Sequence, residues 1–185
     1  VRIIGGIWRR SKLPVLDKPG LRPTPDRVRE TLFNWLGQDL TGWRVLDAFA
    51  GTGALGMEAA SRGAQEVLLV EQDAQAAKQL AANAERLKAS QVQVRRGDAL
   101  ALMAQLPTQG FDLIFLDPPY AANLFDKALL AAARVLKPDG AIYLEADRPL
   151  EEKWLEGTGL VPGRQLKAGS VHVHLLMKAE STRPT

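Results

Sequence analysis

Trp43-Arg44-Val45-Leu46-Asp47-Ala48-Phe49-Ala50-Gly51-Thr52-Gly53-Ala54-Leu55-Gly56 runs from a short apolar segment through a glycine-punctuated turn into a stretch rich in helix formers. The order is strand, tight loop, helix, and it recurs along the chain. After the first strand at residues 43–48, apolar runs at 66–71, 91–96, 111–117 and 141–145 alternate with helix-period stretches at 54–62, 74–88, 99–106, 124–136 and 150–156. Such alternation builds an α/β domain on a parallel sheet, because each parallel connection needs a crossover long enough to hold a helix. Two further strands, 160–167 and 171–178, are separated only by Ala168-Gly169-Ser170, which predicts an antiparallel hairpin. The expected architecture is a seven-stranded, mostly parallel sheet closed by a C-terminal hairpin.

Local punctuation agrees. Asp73 and Asp98 stand where side-chain N-caps are favoured, Gly63 follows the first crossover helix, and Lys137-Pro138-Asp139-Gly140 reads as a helix stop and turn. Residues 1–42 differ from the rest: short apolar pieces at 1–4 and 13–16 are separated by Gly5-Gly6 and basic residues, then come Pro19-Gly20 and Arg22-Pro23-Thr24-Pro25. A small β-ribbon arm is expected, followed by a helix over 25–36 with Thr24 as N-cap, Pro25 at the first helical position, Asp26 in the positive first turn and Gly37 past the end. Its stripe of Val28, Leu32, Trp35 and Leu36 packs on the sheet domain and leaves Arg27 and Arg29 off that face. The organisation read from the chain is a basic arm and helix at 1–42 packed on a main domain at 43–178, with a polar tail at 179–185.

The chain of 185 residues has no cysteine, which removes a disulfide framework, a thiolate zinc site and a thiol nucleophile. No apolar run reaches the ~18 residues needed to span a bilayer, and residues 1–10 lack the apolar core of a signal peptide, so a cytoplasmic protein is expected. The formal net charge of +3 is unevenly divided: residues 1–44 carry +5 and the remainder −2.

Ligands of an open parallel sheet bind beyond the C-terminal ends of its strands. An acidic residue stands at that end of each of the first four strands: Asp47, Glu71, Asp98 and Asp117. Four carboxylates facing one crevice call for a ligand that carries positive charge and many donors. Gly51 to Gly56 is a literal G-x-G-x-x-G with Glu71 placed as a ribose acceptor, which admits a nicotinamide-dependent oxidoreductase. Asp47, four residues before Gly51, puts a carboxylate where a pyrophosphate needs only donors, and so favours an adenosyl ligand with a sulfonium and an ammonium, S-adenosylmethionine. Asp47 as a simple loop cap is the plainer alternative. The most specific element is Asp117-Pro118-Pro119-Tyr120. Two prolines hold the backbone extended and remove two donors, leaving carbonyl acceptors beside a carboxylate and an aromatic ring, a site suited to a flat ligand with an NH₂ group.

From Asp47 to Tyr120 the chain resembles the Rossmann-like class I S-adenosylmethionine-dependent methyltransferases that act on planar exocyclic nitrogens through a D/N-P-P-Y/F loop. Arg2-Ile3-Ile4-Gly5-Gly6, Trp8-Arg9, Leu13-Pro14, Arg22-Pro23-Thr24 and Asp26 through Leu36 resemble the bacterial family that methylates N2 of one guanine in 16S ribosomal RNA. The resemblance implies that Asp47 and the Gly51 and Gly53 backbone hold the methionine part of the cofactor, with Phe49 among the cofactor-binding candidates. It implies that Glu71 takes the ribose hydroxyls and that Asp98 with the Ala99 backbone N–H reads the adenine edge; Gln72 is a further cofactor-binding candidate, and the Arg22-Pro23-Thr24 turn is placed to close over the ligand. Asp117, Pro118, Pro119 and Tyr120 become the catalytic loop, which receives a base flipped out of its stack. DNA amino-methyltransferases and enzymes acting on a glutamine amide share this loop.

Arg2, Trp8, Arg9, Arg10, Lys12, Arg22, Arg27 and Arg29 are the candidate RNA contacts, with Lys18 adding to the basic set. The expected partner is 16S rRNA within a small subunit or its precursor, bound by a monomer without membrane or metal. A non-catalytic RNA-binding module is the remaining alternative. His172 and His174 share a strand face and lack an evident third ligand, so they are read as strand histidines, and Trp35, Trp43 and Trp154 as residues of the core or its edges.

Overall fold

The computed structural model describes residues 1–19, 21–120 and 123–182. Gly20 of the expected Pro19-Gly20 turn and residues 183–185 of the expected tail lie outside the described residues. The chain divides into two compact units, Val1–Ala99 and Leu100–Thr185. Its seven strands are mostly parallel, with an antiparallel hairpin at the C-terminal end, the α/β class that the alternating pattern predicts.

In the first unit β1 (Arg44–Asp47), β2 (Glu66–Glu71) and β3 (Val92–Arg96) are parallel, with β2 in the middle; Val45 pairs with Val67 and Val67 with Val92. Helix α2 (Ala54–Ser61) links β1 to β2 and α3 (Ala74–Arg86) links β2 to β3. Val45, Leu46, Val67, Leu69 and Val70 are buried, as in strands covered on both faces. Asp73 caps α3 as expected, its side chain accepting from the Ala76 N–H at 2.9 Å. Every residue of α2 is buried, Glu58 and Ser61 included.

The arm is a minimal β-ribbon. Arg2 and Lys12 form an antiparallel bridge, and the Ile3 N–H donates to the Ser11 carbonyl at 2.9 Å while the Arg10 N–H donates to the Ile3 carbonyl at 2.8 Å. Helix α1 (Asp26–Leu36) ends at Gly37 as expected but starts one residue late. Pro25, with ψ 149°, is the N-cap, and Thr24 makes no capping bond; the extended Pro25 backbone moves the Thr24 hydroxyl out of reach of the first free N–H groups. The buried stripe is also broader than predicted. Arg29, expected to project outward, is buried with Val28, Leu32, Phe33 and Leu36, while Trp35 is only half-buried. Positions 29, 32 and 33 are helical neighbours, so a wide apolar face takes in Arg29 if its charge is met there.

In the second unit the strand order is β4-β5-β7-β6, with α4 (Ala99–Gln105) preceding β4 (Phe111–Leu116) and α5 (Phe125–Val135) joining it to the parallel β5 (Leu136–Ala146). β7 (Val171–Lys178) is antiparallel to both β5 and β6 (Leu160–Ala168). Lys137-Pro138-Asp139-Gly140 stops α5 but is not a separate turn. It is the irregular start of β5, where the register with β4 shifts between Phe111 and Leu113, and Pro138 and Asp139 lie on the exposed side. The helix expected at 150–156 is a single 3-10 turn, Glu152–Leu155, anchored by buried Trp154, with Pro149 before it and Gly157 after it. Among the described residues no helix is long and apolar enough to cross a membrane.

Candidate active site

Asp47 ends β1 almost wholly buried, 2% exposed, and its Oδ2 accepts the Gly56 N–H at 3.1 Å. That donor belongs to the first turn of α2, so the carboxylate already occupies an N-terminal donor that a phosphate would need. The loop comes this close because position 56 is glycine: a Cβ there would sit 2.2 Å from Leu69 Cδ2 and 3.1 Å from Asp47 Oδ2. Gly51 and Gly53, at φ +55° and +81°, take the left-handed backbone that the turn demands.

Glu71 ends β2 with both oxygens engaged: Oε1 accepts from the Gly51 N–H at 3.0 Å and Oε2 from the Asp73 N–H at 2.7 Å. The first and second strand ends are thus tied through one loop. Burial pushes the Asp47 carboxyl up to about 7, the Gly56 N–H pulls the other way, and the nearby Glu71 charge raises it further. A buried acid kept this weak by desolvation and a like charge is poised to welcome a cation. Phe49 is half-buried, Gln72 and Asp98 are exposed, and Ala99 is buried. Gly97, just before Asp98, donates to the Glu71 carbonyl at 3.0 Å, which fixes where the third strand ends beside the second. The acceptor set fits a ligand with positive charge and hydroxyl or amino groups, the profile of S-adenosylmethionine.

In the second unit Asp117 follows the buried strand β4, Pro118 is buried, Pro119 exposed and Tyr120 half-buried. The Tyr120 hydroxyl lies 3.5 Å from Glu145 Oε2, and the Tyr143 hydroxyl donates to Oε1 of the same carboxylate at 2.6 Å. Burial first, then the charges of Glu145, Asp117 and Asp147, hold the Tyr120 phenol above its ordinary pKa, so it stays neutral. Behind its ring come Phe125 at 6.3 Å and then Trp154, stacked on Phe125 at 4.4 Å. Glu145, the penultimate residue of β5, is a further acid near a strand end, and it is buried. Its signal is present in Tyr143-Leu144-Glu145, yet an apolar strand ending in an acid reads at first as a strand reaching solvent.

A second residue that sequence reasoning missed is Glu58. Its carboxylate is 0% exposed and accepts from the Ile4 and Gly5 N–H groups, each at 2.9 Å, from Arg29 Nη1 at 2.9 Å and from Arg62 Nε at 2.9 Å. Glu58 and Arg62, four apart on a helix, look like an ordinary surface pair in sequence. The same network removes Arg29 from the RNA-facing set. Its Nε also donates to the Thr24 carbonyl at 3.2 Å, which leaves Thr24 buried in the turn before α1.

Of the remaining basic candidates, Arg9, Arg10, Lys12, Arg22 and Arg27 are exposed, Lys12 within its bridge to Arg2, and Trp8 is half-buried. Arg2 lies 3.9 Å from Asp26, and Lys18 is paired with Asp73 at 2.5 Å. A groove of about 630 Å³ runs along the arm, and its lining includes Arg2, Lys12 and Arg86 together with Asp26. The His172 and His174 rings stack at 6.5 Å, and among the described residues no group of three ligating side chains could hold a metal.

The model of a family described as conserved hypothetical protein 95 matches residues 1–177. Ribosomal RNA small subunit methyltransferase D of Haemophilus influenzae is 46% identical over 177 residues, 89% of this chain and 92% of that protein. The protein of the same description from Escherichia coli K12 is 46% identical over 149 residues, 80% of this chain and 75% of that protein. Among solved structures, a putative methyltransferase of Escherichia coli, yhhF, matches with a TM-score of 0.82 at 38% identity, covering 98% of this chain and 99% of that one.

Proposed function

The chain belongs to the family described as conserved hypothetical protein 95, and from that premise we propose that it is an S-adenosylmethionine-dependent rRNA methyltransferase acting as a monomer on the exocyclic N2 of one guanine in 16S rRNA. The observation that carries this reading is the Asp117-Pro118-Pro119-Tyr120 loop at the end of β4, in a chain whose first unit ends β1 and β2 in the coupled acids Asp47 and Glu71. Relatives described as small-subunit rRNA methyltransferases support the choice of substrate.

In this mechanism Asp47 and the Gly51 and Gly53 backbone hold the methionine part of the cofactor. Glu71 takes the ribose hydroxyls with Gln72 next to it in the chain, Asp98 and Ala99 take the adenine, and the Thr24 turn would close over the ligand. The cofactor supplies an electrophilic methyl group on a sulfonium. The guanine amine is a weak nucleophile because its lone pair is delocalised into the ring. The Asp117 carboxylate and the Pro118 carbonyl accept its two N–H bonds, localise the lone pair and fix its direction for in-line displacement, so positioning and electrostatics carry the rate. The amine becomes strongly acidic as the new bond forms, and Asp117 or a water accepts the proton. Tyr120, neutral and backed by Phe125, offers the flipped base a stacking surface.

The test is incubation with labelled cofactor and undermethylated small subunits, in parallel with free 16S rRNA, followed by mapping of the modified nucleoside. N2-methylguanosine at one position is expected. No transfer to either substrate would sink the proposal, and a methylated adenine would replace its target.

A further inference from the structure

The tip of the arm carries an exposed apolar side chain. Ile7 is 73% exposed, yet its backbone is firmly held. The Ile7 N–H donates to the Ser61 carbonyl at 2.8 Å and the Trp8 N–H to Ser61 Oγ at 3.0 Å, while that hydroxyl donates to the Gly5 carbonyl at 2.6 Å. On the near side, Ile4 and Gly5 are bonded to the buried Glu58. On the far side, the Arg10 N–H closes the turn onto the Ile3 carbonyl at 2.8 Å, with Arg10 itself at φ +72°, a conformation costly for a residue with a Cβ. A lone exposed aliphatic residue on a floppy loop would mean little. Here a strained turn, held by these bonds and anchored on a buried helix, presents it.

Its neighbours specify the partner. Arg9 and Arg10 are exposed, and neither forms an ion pair among the described residues. The first acidic residue of the chain is Asp17, so the tip presents cations and an apolar point with no carboxylate in its sequence neighbourhood. An acidic or purely apolar protein surface would use one of these features; a nucleic acid uses both, phosphates against guanidinium groups and an aliphatic wedge against an exposed base face.

Resting on the reading of an rRNA substrate, we propose that Ile7 is an RNA-inserting wedge that packs against an unstacked base while Arg9 and Arg10 hold the flanking phosphates. The wedge needs no rearrangement of the arm, because the turn is already set by Ser61 and Glu58.

Ile7→Ser and Ile7→Leu are compared with the unchanged chain in binding to 16S rRNA and to undermethylated small subunits across a range of salt, with methyl transfer and thermal unfolding measured alongside. Ile7→Ser should weaken binding to both substrates about tenfold, the scale of one aliphatic side chain left unburied. The dependence on salt should keep its slope, since every phosphate keeps its cation. Ile7→Leu should bind as the parent does, and all three should unfold at the same temperature. Unchanged affinity in Ile7→Ser overturns the wedge. So does a loss confined to assembled subunits, which would assign Ile7 to a ribosomal protein. Absence of methyl transfer by the unchanged chain overturns the rRNA reading itself, and the wedge with it.

Discussion

The Arg29 guanidinium meets the Glu58 carboxylate at 2.9 Å with 1% and 0% of the two side chains exposed. This pair decides what the N-terminal arm is. Glu58 also takes the Ile4 and Gly5 N–H groups and Arg62 Nε, so one carboxylate fastens the arm and α1 to the helix that follows the glycine loop. Removing it takes that acceptor from two buried guanidinium groups and two part-buried backbone donors, with Asp26, 2.6 Å from Arg29, left as a carboxylate partner at the surface. Glu58→Ala should cost about 3–5 kcal/mol in urea unfolding, the range for breaking a buried pair from one side. A loss near zero would show that water enters and replaces the carboxylate.

Asp47 makes stability and ligand binding depend on pH with a definite sign. Its carboxyl is raised from 3.8 to about 7, so between those values the folded chain holds a proton that the unfolded chain has released. Stability from this group therefore falls as pH rises through that window. His174, whose pKa is lowered by burial and by His172, acts oppositely as pH falls below the ordinary histidine value of 6.5. Asp39 and Asp73 are held below the ordinary aspartate value by Thr41 and Lys18 and titrate beneath the window. Comparison with Asp47→Asn isolates the effect: the variant should gain stability over the parent at pH 8 and not at pH 4. In calorimetry, S-adenosylmethionine should release protons from the parent near neutral pH, because a cation lowers the pKa of Asp47, and none from the variant.

Asp117→Ala removes the acceptor proposed for the target amine. Methyl transfer should fall by at least about 10²-fold, the scale of losing one preorganised polar group at a reacting centre. Cofactor affinity should remain measurable by calorimetry. Turnover close to that of the parent would end the assignment.

Tyr120→Ala should raise KM for RNA by roughly ten- to a hundredfold, matching about 1–3 kcal/mol for a base stacked on an aromatic ring. Tyr120→Phe should keep most of the activity, since the ring and not the hydroxyl 3.5 Å from Glu145 carries the stacking. Equal rates for Tyr120→Ala and the parent would reduce the ring to packing against Phe125.

Reversal of Arg9 and Arg10 to glutamate should weaken RNA binding and make its salt dependence shallower, by about one in slope for each phosphate that is no longer neutralised. Reversal of Arg29 should instead unfold the chain, because its guanidinium faces Glu58 and not solvent. Titrations at several salt concentrations, with unfolding curves on the same proteins, separate the two outcomes.

What can be read from the chain alone is whatever depends on neighbours in sequence. The strand and helix order from Arg44 to Lys178, the Asp73 cap, the Gly169-Ser170 hairpin turn and the acids closing the strands all follow from local period and turn chemistry. The Thr24 cap, the separate turn at Lys137–Gly140 and the helix at 150–156 fail at element ends. There a single ψ angle at Pro25, a register shift beside Phe111 or the anchoring of Trp154 outweighs propensity. The burial of Arg29 and Glu58 is out of reach for a deeper reason. A charged side chain reads as a surface residue unless its partners are known, and theirs come from Ile4, Gly5 and Arg62 as well as each other. Sequence determined which residues could carry chemistry and in what order the elements run. Tertiary structure alone decided which charges are used inside the fold and which stay outside for a partner, because burying a charge becomes tolerable only when enough partners converge on it, and for Glu58 these include Ile4, Gly5 and Arg29 from far along the chain.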